Sequence, residues 1–260
     1  MKLIILAAGE GKRLRPLTDN RPKCLVNLKG KSLLSRQLST IKANLISSQD
    51  IALVGGYRHQ DLNSFGLQVF NNTRFSSTNM VSTLFCASDF IKHNEDLIIS
   101  YGDIVYEEKI LEALLDSDAE LSVVADKSWE KLWRLRMSNP LDDAETFIMD
   151  ERQHISELGK RPKSIKQVQA QYIGLIKVRK DMVQNFKDIY HKMDKDRVYD
   201  GQDFDNMYMT SFIQYLIDNQ WEVKATLINN GWLEVDTIAD LERYENLPKK
   251  SLDSYCFLKD

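Results

Sequence analysis

Nowhere in the 260 residues does an apolar run approach the roughly 20 residues that a membrane-spanning helix needs. The opening MKLIILAAGE has one basic residue before a short apolar run, and charge returns at once with Lys12, Arg13 and Arg15, unlike a secretory leader. Cysteine is scarce: Cys24, Cys86 and Cys256 have neither metal-like spacing nor the pattern of a disulfide framework. The four histidines (His59, His93, His154, His191) are scattered and suggest no imidazole-centred catalysis. A formal net charge of −3 gives no global attraction to nucleic acid or an anionic membrane. These absences predict a reduced, cytoplasmic protein with neither nucleic acid nor membrane as a partner.

What is present is concentrated first at the N-terminus. LAAGEGKRLRPLTDNRPK, residues 6 to 23, sets Lys12, Arg13, Arg15, Arg21 and Lys23 against only Glu10 and Asp19. A basic island on a mildly acidic chain suits a small anion better than a polyanion. It is no Walker loop, because Gly11-Lys12-Arg13 lacks both the spacing and the metal-holding hydroxyl. It is no dinucleotide fingerprint either, because Leu14 stands where the third glycine belongs. Backbone N–H groups of Leu6, Ala7, Ala8, Gly9, Gly11 and Lys12 suit phosphate oxygens. Arg13 offers a planar fork and Lys23, fixed beside a proline, a mobile point charge. Arg15 and Arg21 read as surface charges.

Aliphatic runs at Lys2 to Leu6, Ile51 to Val54, Leu97 to Ser100 and Leu121 to Ala125 alternate with amphipathic stretches. Leu34, Leu38, Ile41 and Leu45 share one helical face, and Ile110, Leu111, Leu114 and Leu115 mark another helix. This alternation predicts an α/β fold with a mixed, mostly parallel sheet. Gly9, Gly11, Gly55, Gly56 and Gly102 follow strands, where open α/β sheets bind ligands. Residues 126 to 176 are less regular and predict an inserted antiparallel sub-domain. A helix is expected from about Asp203, then a strand from Glu222 to Leu227, the segment WLEVD, a short helix and a tail. The expected division is 1–125 as the α/β core, 126–176 as the insertion, 177–246 as the C-terminal part of the core, and 247–260 as tail.

The string A-A-G-x-G-x-R-L-x-P-L-T with Lys23 resembles the nucleotidyltransferases that activate sugar phosphates and related small phosphates. The likeness extends through Gly55-Gly56-Tyr57, Tyr101-Gly102-Asp103 and Trp232-Leu233-Glu234-Val235-Asp236. It implies a Rossmann-like nucleotidyltransferase fold with Arg13 and Lys23 on the triphosphate. It also implies Mg²⁺ on Asp103 and Asp236, with Glu234 as a third ligand, and relatives that are often homodimers. Read by themselves, Asp103 is an ordinary turn former, and Glu234 and Asp236 alternate along a strand so as to share a face. No general base is needed, since an anionic phosphate oxygen attacks the α-phosphorus and pyrophosphate leaves.

The stretch Phe75 to Ser82, with Thr78-Asn79-Met80 and Ser82, resembles the cytidylyltransferase branch, which implies CTP. Asn79 reads equally well as a pyrimidine contact or as a helix N-cap. DKSWEKLWRLRMSNPLDDAET, Gly159-Lys160, AQYIGL and YDGQDFDNMYMTSF resemble the cytidylyltransferases that load L-glutamine phosphate for capsular phosphoramidate. Such an acceptor wants cations, for which Lys127, Arg134, Arg136 and Lys160 are available. Its ammonium wants an acid: Asp126, Glu145 or Asp200. Gln171 and the aromatic Trp129, Tyr172, Tyr199 and Trp232 complete the candidates, and Trp133 reads as core. Aromatic faces also suit a choline cation, so phosphocholine, phosphonate and sugar-1-phosphate acceptors stay open, as does a non-catalytic sensor.

Overall fold

The computed structural model describes residues 1–259. Seven strands form the central sheet: β1 (Lys2–Ala7), β2 (Ile51–Gly55), β3 (Gln68–Asn71), β4 (Leu97–Tyr101), β5 (Leu121–Asp126), β6 (Gln171–Val178) and β7 (Val223–Ile228). Their order is β7-β5-β6-β4-β1-β2-β3. All neighbours run parallel except β6, which is antiparallel to both β4 and β5. A strand buried on both faces needs a continuous apolar run, and KLIILA supplies one. Leu3 and Ile5 enter the core cluster on one face of the sheet, and Ile4 and Leu6 the cluster on the other.

Helices α1 (Leu33–Ala43), α3 (Glu108–Leu115), α4 (Trp129–Arg136) and α7 (Ile238–Asn246) contribute to the first cluster. Helices α2 (Met80–Phe85), α5 (Val183–Lys192) and α6 (Met209–Asp218) contribute to the second. Among the described residues no helix is long and apolar enough to cross a membrane.

Three local expectations are corrected. Leu45 does not continue the buried face of α1: the helix stops at Ala43, and Leu45 adopts φ +62° and is 92% exposed. The helix expected from Asp203 begins at Met209. Asp203 instead accepts the backbone N–H of Asn206, a local bond that competes with helix formation. Phe204 and Met207 are buried all the same, from a loop. The end of the chain is no free tail: Leu252 and Cys256 are buried, and the Gly231 N–H donates to the Tyr255 carbonyl. Asp260 lies outside the described residues.

Residues 127–170 carry α4 and the two-stranded Phe147–Met149/Ile155–Leu158 ribbon. The chain then re-enters the central sheet at Gln171, so β6 both ends the irregular stretch and forms the middle of the sheet.

Candidate active site

The site lies at the carboxyl ends of β1 and β4. After Ala8 the chain turns through Gly11 (φ +64°) into a single 3₁₀ turn, Lys12–Leu14. A Cβ on Gly11 would come within 3.0 Å of both Lys23 and Thr18, so glycine is needed for φ and for space. Leu14, the residue that breaks the dinucleotide pattern, is fully buried and pegs the loop to the core. Thr18 Oγ1 donates to the Gly11 carbonyl at 2.8 Å.

A two-stranded ribbon brings the distant acids to this loop. Strand Ile104–Tyr106 pairs antiparallel with Trp232–Glu234, and the Val235 N–H donates to the Asp103 carbonyl. Lys23 Nζ then donates to Asp103 Oδ2 at 2.6 Å and to Asp236 Oδ1 at 2.8 Å. Arg13 Nη2 lies 2.5 Å from Asp236 Oδ2. Burial works against the charge on Lys23, but Asp103, Asp236 and Glu234 outweigh it and raise its pKa above the ordinary lysine range. Burial likewise opposes the charge on Asp236, yet Lys23 and Arg13 hold its pKa below the ordinary carboxylate range.

The described residues gather no group of three or more His, Cys, Asp or Glu side chains able to hold a metal. The chemistry of the donor set still fits a hard divalent cation. Two carboxylates converge on one point, and Asp103 Oδ1 is buried with no partner. Glu234, expected as a third ligand, is turned to Arg136 Nη1 at 2.6 Å. Burial lifts its pKa to about 7, Arg136 opposing and Asp103 adding to the rise.

A cleft opens beside this cluster, lined on one side by Leu6, Ala7, Ala8, Gly9 and Lys23. Phe75, Thr78, Asn79, Met80 and Thr83 line the other side, and Tyr101, Gly102 and Asp103 line its floor. Four residues expected on the nucleotide take other positions. Gly11 lies behind Lys23, and Lys12 turns to Glu10 at 2.7 Å. Gly56 sits under Phe75, whose Cβ would be 2.4 Å from an added methyl. Ser82 Oγ donates to the Asp205 carbonyl at 2.9 Å. Asn79 both lines the cleft and caps α2, its Oδ1 accepting from Met80 N at 2.8 Å.

A second pocket shares Met80 and Tyr101 with the first. Glu145, Gln171, Tyr172, Trp232 and Glu234 line it, together with Trp133, Asp143, Tyr208 and Thr210, which sequence reasoning did not place on a ligand. Glu145 is held by its backbone N–H, which donates to Gln171 Oε1 at 3.2 Å. Burial first, then the nearby Asp143, Glu234 and Asp200, raise the Glu145 pKa to about 7.

The remaining acceptor candidates lie elsewhere for clear reasons. Asp126 is fully buried and clamps structure: it accepts from Ser128 N, Asn230 N and Trp232 Nε1. Trp129 is core, its Nε1 donating to the Val168 carbonyl. Lys127 and Asp200 are exposed, and Lys160 pairs with Glu157 at 2.8 Å. The guanidinium of Arg136 is buried between Glu234 and Asp240, and those acids raise its pKa against the effect of burial. Asp240 also accepts the backbone N–H of Asp236 and of Thr237. Arg136 therefore braces the corner that carries Asp236.

Residues 3–155 match the MobA-like NTP transferase domain. The chain is 43% identical over 251 residues to the CTP:phosphoglutamine cytidylyltransferase of Campylobacter jejuni, covering 93% of this chain and 98% of that one. It is 34% identical over 93 residues to the choline-phosphate cytidylyltransferase of Streptococcus pneumoniae, covering 34% and 40% of the two chains. Its fold superposes on the inositol-1-phosphate CTP transferase from T. maritima with a TM-score of 0.76 at 19% identity, covering 100% of this chain and 96% of that one. These matches agree with the glycine loop, the mostly parallel sheet and the cluster at its carboxyl edge: the chain belongs to the MobA-like NTP transferase family and is a nucleotidyltransferase.

Proposed function

We propose that the protein is a Mg²⁺-dependent cytidylyltransferase that transfers CMP from CTP to L-glutamine phosphate, for the phosphoramidate modification of a capsular polysaccharide. The observation that carries this reading is the pair of adjoining pockets, one beside Lys23 and Asp103 and one lined by acids and aromatics, joined at Met80 and Tyr101. Near full-length similarity to a cytidylyltransferase for phosphoglutamine supports the choice of both substrates. Three free cysteines, two of them buried, suit work in the reducing cytoplasm.

In this reading the first cleft takes CTP, with the Ala7–Gly9 backbone close to the phosphates and Asn79 at the base. Lys23 and Arg13 exchange their carboxylate partners for phosphate oxygens. Asp103 and Asp236 would hold the Mg²⁺, which when bound neutralises charge on the phosphates. The acceptor's phosphoryl oxygen forms the new bond to the α-phosphorus as the bond to the β-phosphate oxygen breaks and pyrophosphate leaves. The attacking oxygen is already anionic, so no residue here has to remove a proton, and catalysis rests on positioning and charge.

Pyrophosphate release is to be measured with CTP, Mg²⁺ and each of L-glutamine phosphate, phosphocholine, a phosphonate and a sugar 1-phosphate. Release confined to L-glutamine phosphate is expected. Release only with another acceptor transfers the reading to that acceptor. Tight CTP binding without release from any of them makes the protein a sensor.

A further inference from the structure

The second pocket contains a buried hydrogen-bond donor with nothing to bond. Trp133 is 3% exposed, lines the pocket, and its Nε1 has no partner. Its two ring neighbours are different: Trp129 Nε1 donates to the Val168 carbonyl at 3.1 Å and Trp232 Nε1 to Asp126 Oδ2 at 3.0 Å. A buried donor left unpaired costs about 1–3 kcal/mol, and the two paired indoles show that this wall can supply acceptors. In the same pocket the Glu145 carboxylate has no hydrogen-bond or ion-pair partner among the described residues. Two residues that line the pocket thus carry unused groups, Trp133 a buried N–H and Glu145 a carboxylate. Arg134, Arg136 and Lys160, which would otherwise receive an acceptor's carboxylate, are paired with Glu130, with Glu234 and Asp240, and with Glu157.

Resting on the reading of the protein as a cytidylyltransferase for an amino-acid phosphate, we propose that Trp133 and Glu145 determine its specificity: Trp133 Nε1 donates to the α-carboxylate of the acceptor, and the Glu145 carboxylate receives its α-ammonium. The two groups are complementary to a zwitterion. They match choline only in part: its quaternary nitrogen offers Glu145 charge but no N–H, and it brings no carboxylate to Trp133. The raised pKa of Glu145 has the same sense, because an ammonium beside it restores the favourable charged form. Trp133 carries information that its burial alone conceals.

The test uses the full-length protein with CTP and Mg²⁺. L-Glutamine phosphate is compared with two analogues, one lacking the α-carboxylate (the N-phosphate of 4-aminobutanamide) and one lacking the α-amine (the N-phosphate of glutaramate). Each analogue is read as a competitor of L-glutamine phosphate, so a constant is obtained whether or not it is turned over. In the wild type, each analogue is expected to bind about tenfold or more weakly than L-glutamine phosphate. In Trp133→Phe the difference between L-glutamine phosphate and the decarboxylated analogue should vanish, while discrimination against the deaminated one stays. Glu145→Gln should do the reverse. A wild type that binds all three alike overturns the proposal without any variant. So does a Trp133→Phe protein that weakens both analogues and L-glutamine phosphate in proportion, which is the mark of lost packing. Absence of transfer to L-glutamine phosphate by the wild type would remove both readings; transfer with unaltered discrimination in the variants removes this one alone.

Discussion

At the scale of single residues, Lys23 holds the place between Asp103 and Asp236 that a cation would share. Its ammonium and the Arg13 guanidinium neutralise the two acids, and the proposed function has both cations pass to phosphate oxygens. Lys23→Met should therefore have opposite effects on two measurements. Turnover of CTP falls by about 10²-fold or more, as for loss of a group that stabilises transition-state charge. Manganese, read by electron paramagnetic resonance on the nucleotide-free protein, binds more tightly than in the wild type; unchanged or weaker manganese binding would refute the exchange. Glu145 gives a second prediction. Its pKa is raised from 4.5 to about 7 in the folded protein, chiefly by burial. A raised carboxyl pKa means that the folded state binds the proton more tightly than the unfolded one. Stability is then highest below about pH 4.5 for this group and declines as pH rises through 7, by at most about 3 kcal/mol. Glu145→Gln cannot lose a proton, so its melting temperature relative to wild type should climb between pH 5 and 8. A gap independent of pH would show that Glu145 titrates normally. Lys23 was legible in the sequence because it stands beside a proline in a local basic island, whereas Asp103 and Asp236, a turn former and one of two alternating strand acids when read alone, were singled out only by the family resemblance. The orphaned Trp133 N–H was not, since whether an indole finds a partner is decided by distant backbone.

At the scale of elements, the corner between strand Trp232–Glu234 and α7 carries Asp236 and is braced twice. Thr237 and Asp240 form a capping box at the start of α7. Arg136, reaching over from α4, lies between Asp240 and Glu234. The threonine-to-acid spacing of the cap can be read from the sequence. The Arg136 bond cannot, because its partners lie 98 and 104 positions away and only the fold brings them near. For the same reason Arg136 read as a phosphate or carboxylate binder and proves to be a brace. Asp240→Ala removes the reciprocal half of the capping box (the acceptor for Thr237 N), the acceptor for Asp236 N and half of the counter-charge on a buried guanidinium. Breaking a buried pair in this way costs about 3–5 kcal/mol, which denaturant unfolding would register as a lower midpoint with an unchanged slope. Thr237→Ala, which removes only the capping hydroxyl, should cost about 1 kcal/mol. Equal losses in the two variants would mean that the Arg136 bond contributes nothing beyond the cap. The start of α6 shows the opposite limit of sequence reading: the apolar spacing of Phe204, Met207 and Phe212 looks helical, yet Asp203 and the bonds made by Asp205 hold the first two of these in a loop.

At the scale of the whole molecule, one loop touches both pockets. The Asp205 carbonyl accepts from Asn79 N, on the wall of the first cleft, and from Ser82 Oγ behind it, and its carboxylate pairs with Arg74. Three residues on, Tyr208, Met209 and Thr210 line the second pocket. A nucleotide that fixes Asn79 and α2 therefore also fixes the start of α6, and the ordering cost of the second pocket is met before the acceptor arrives. CTP should then tighten acceptor binding, and linkage requires that the acceptor tighten CTP binding by the same factor. The Arg74 pair is exposed and contributes little, so the buried Ser82 bond is the better probe. Its loss removes about 1 kcal/mol of coupling, or roughly a fivefold change in affinity. In the wild type, CTP should slow amide exchange across residues 203–210 and strengthen acceptor binding in calorimetry. In Ser82→Ala both effects should shrink together, with acceptor affinity in the absence of CTP unchanged. Exchange slowed by CTP with no gain in acceptor affinity would show that the loop closes the first cleft alone, and the two pockets would then fill independently.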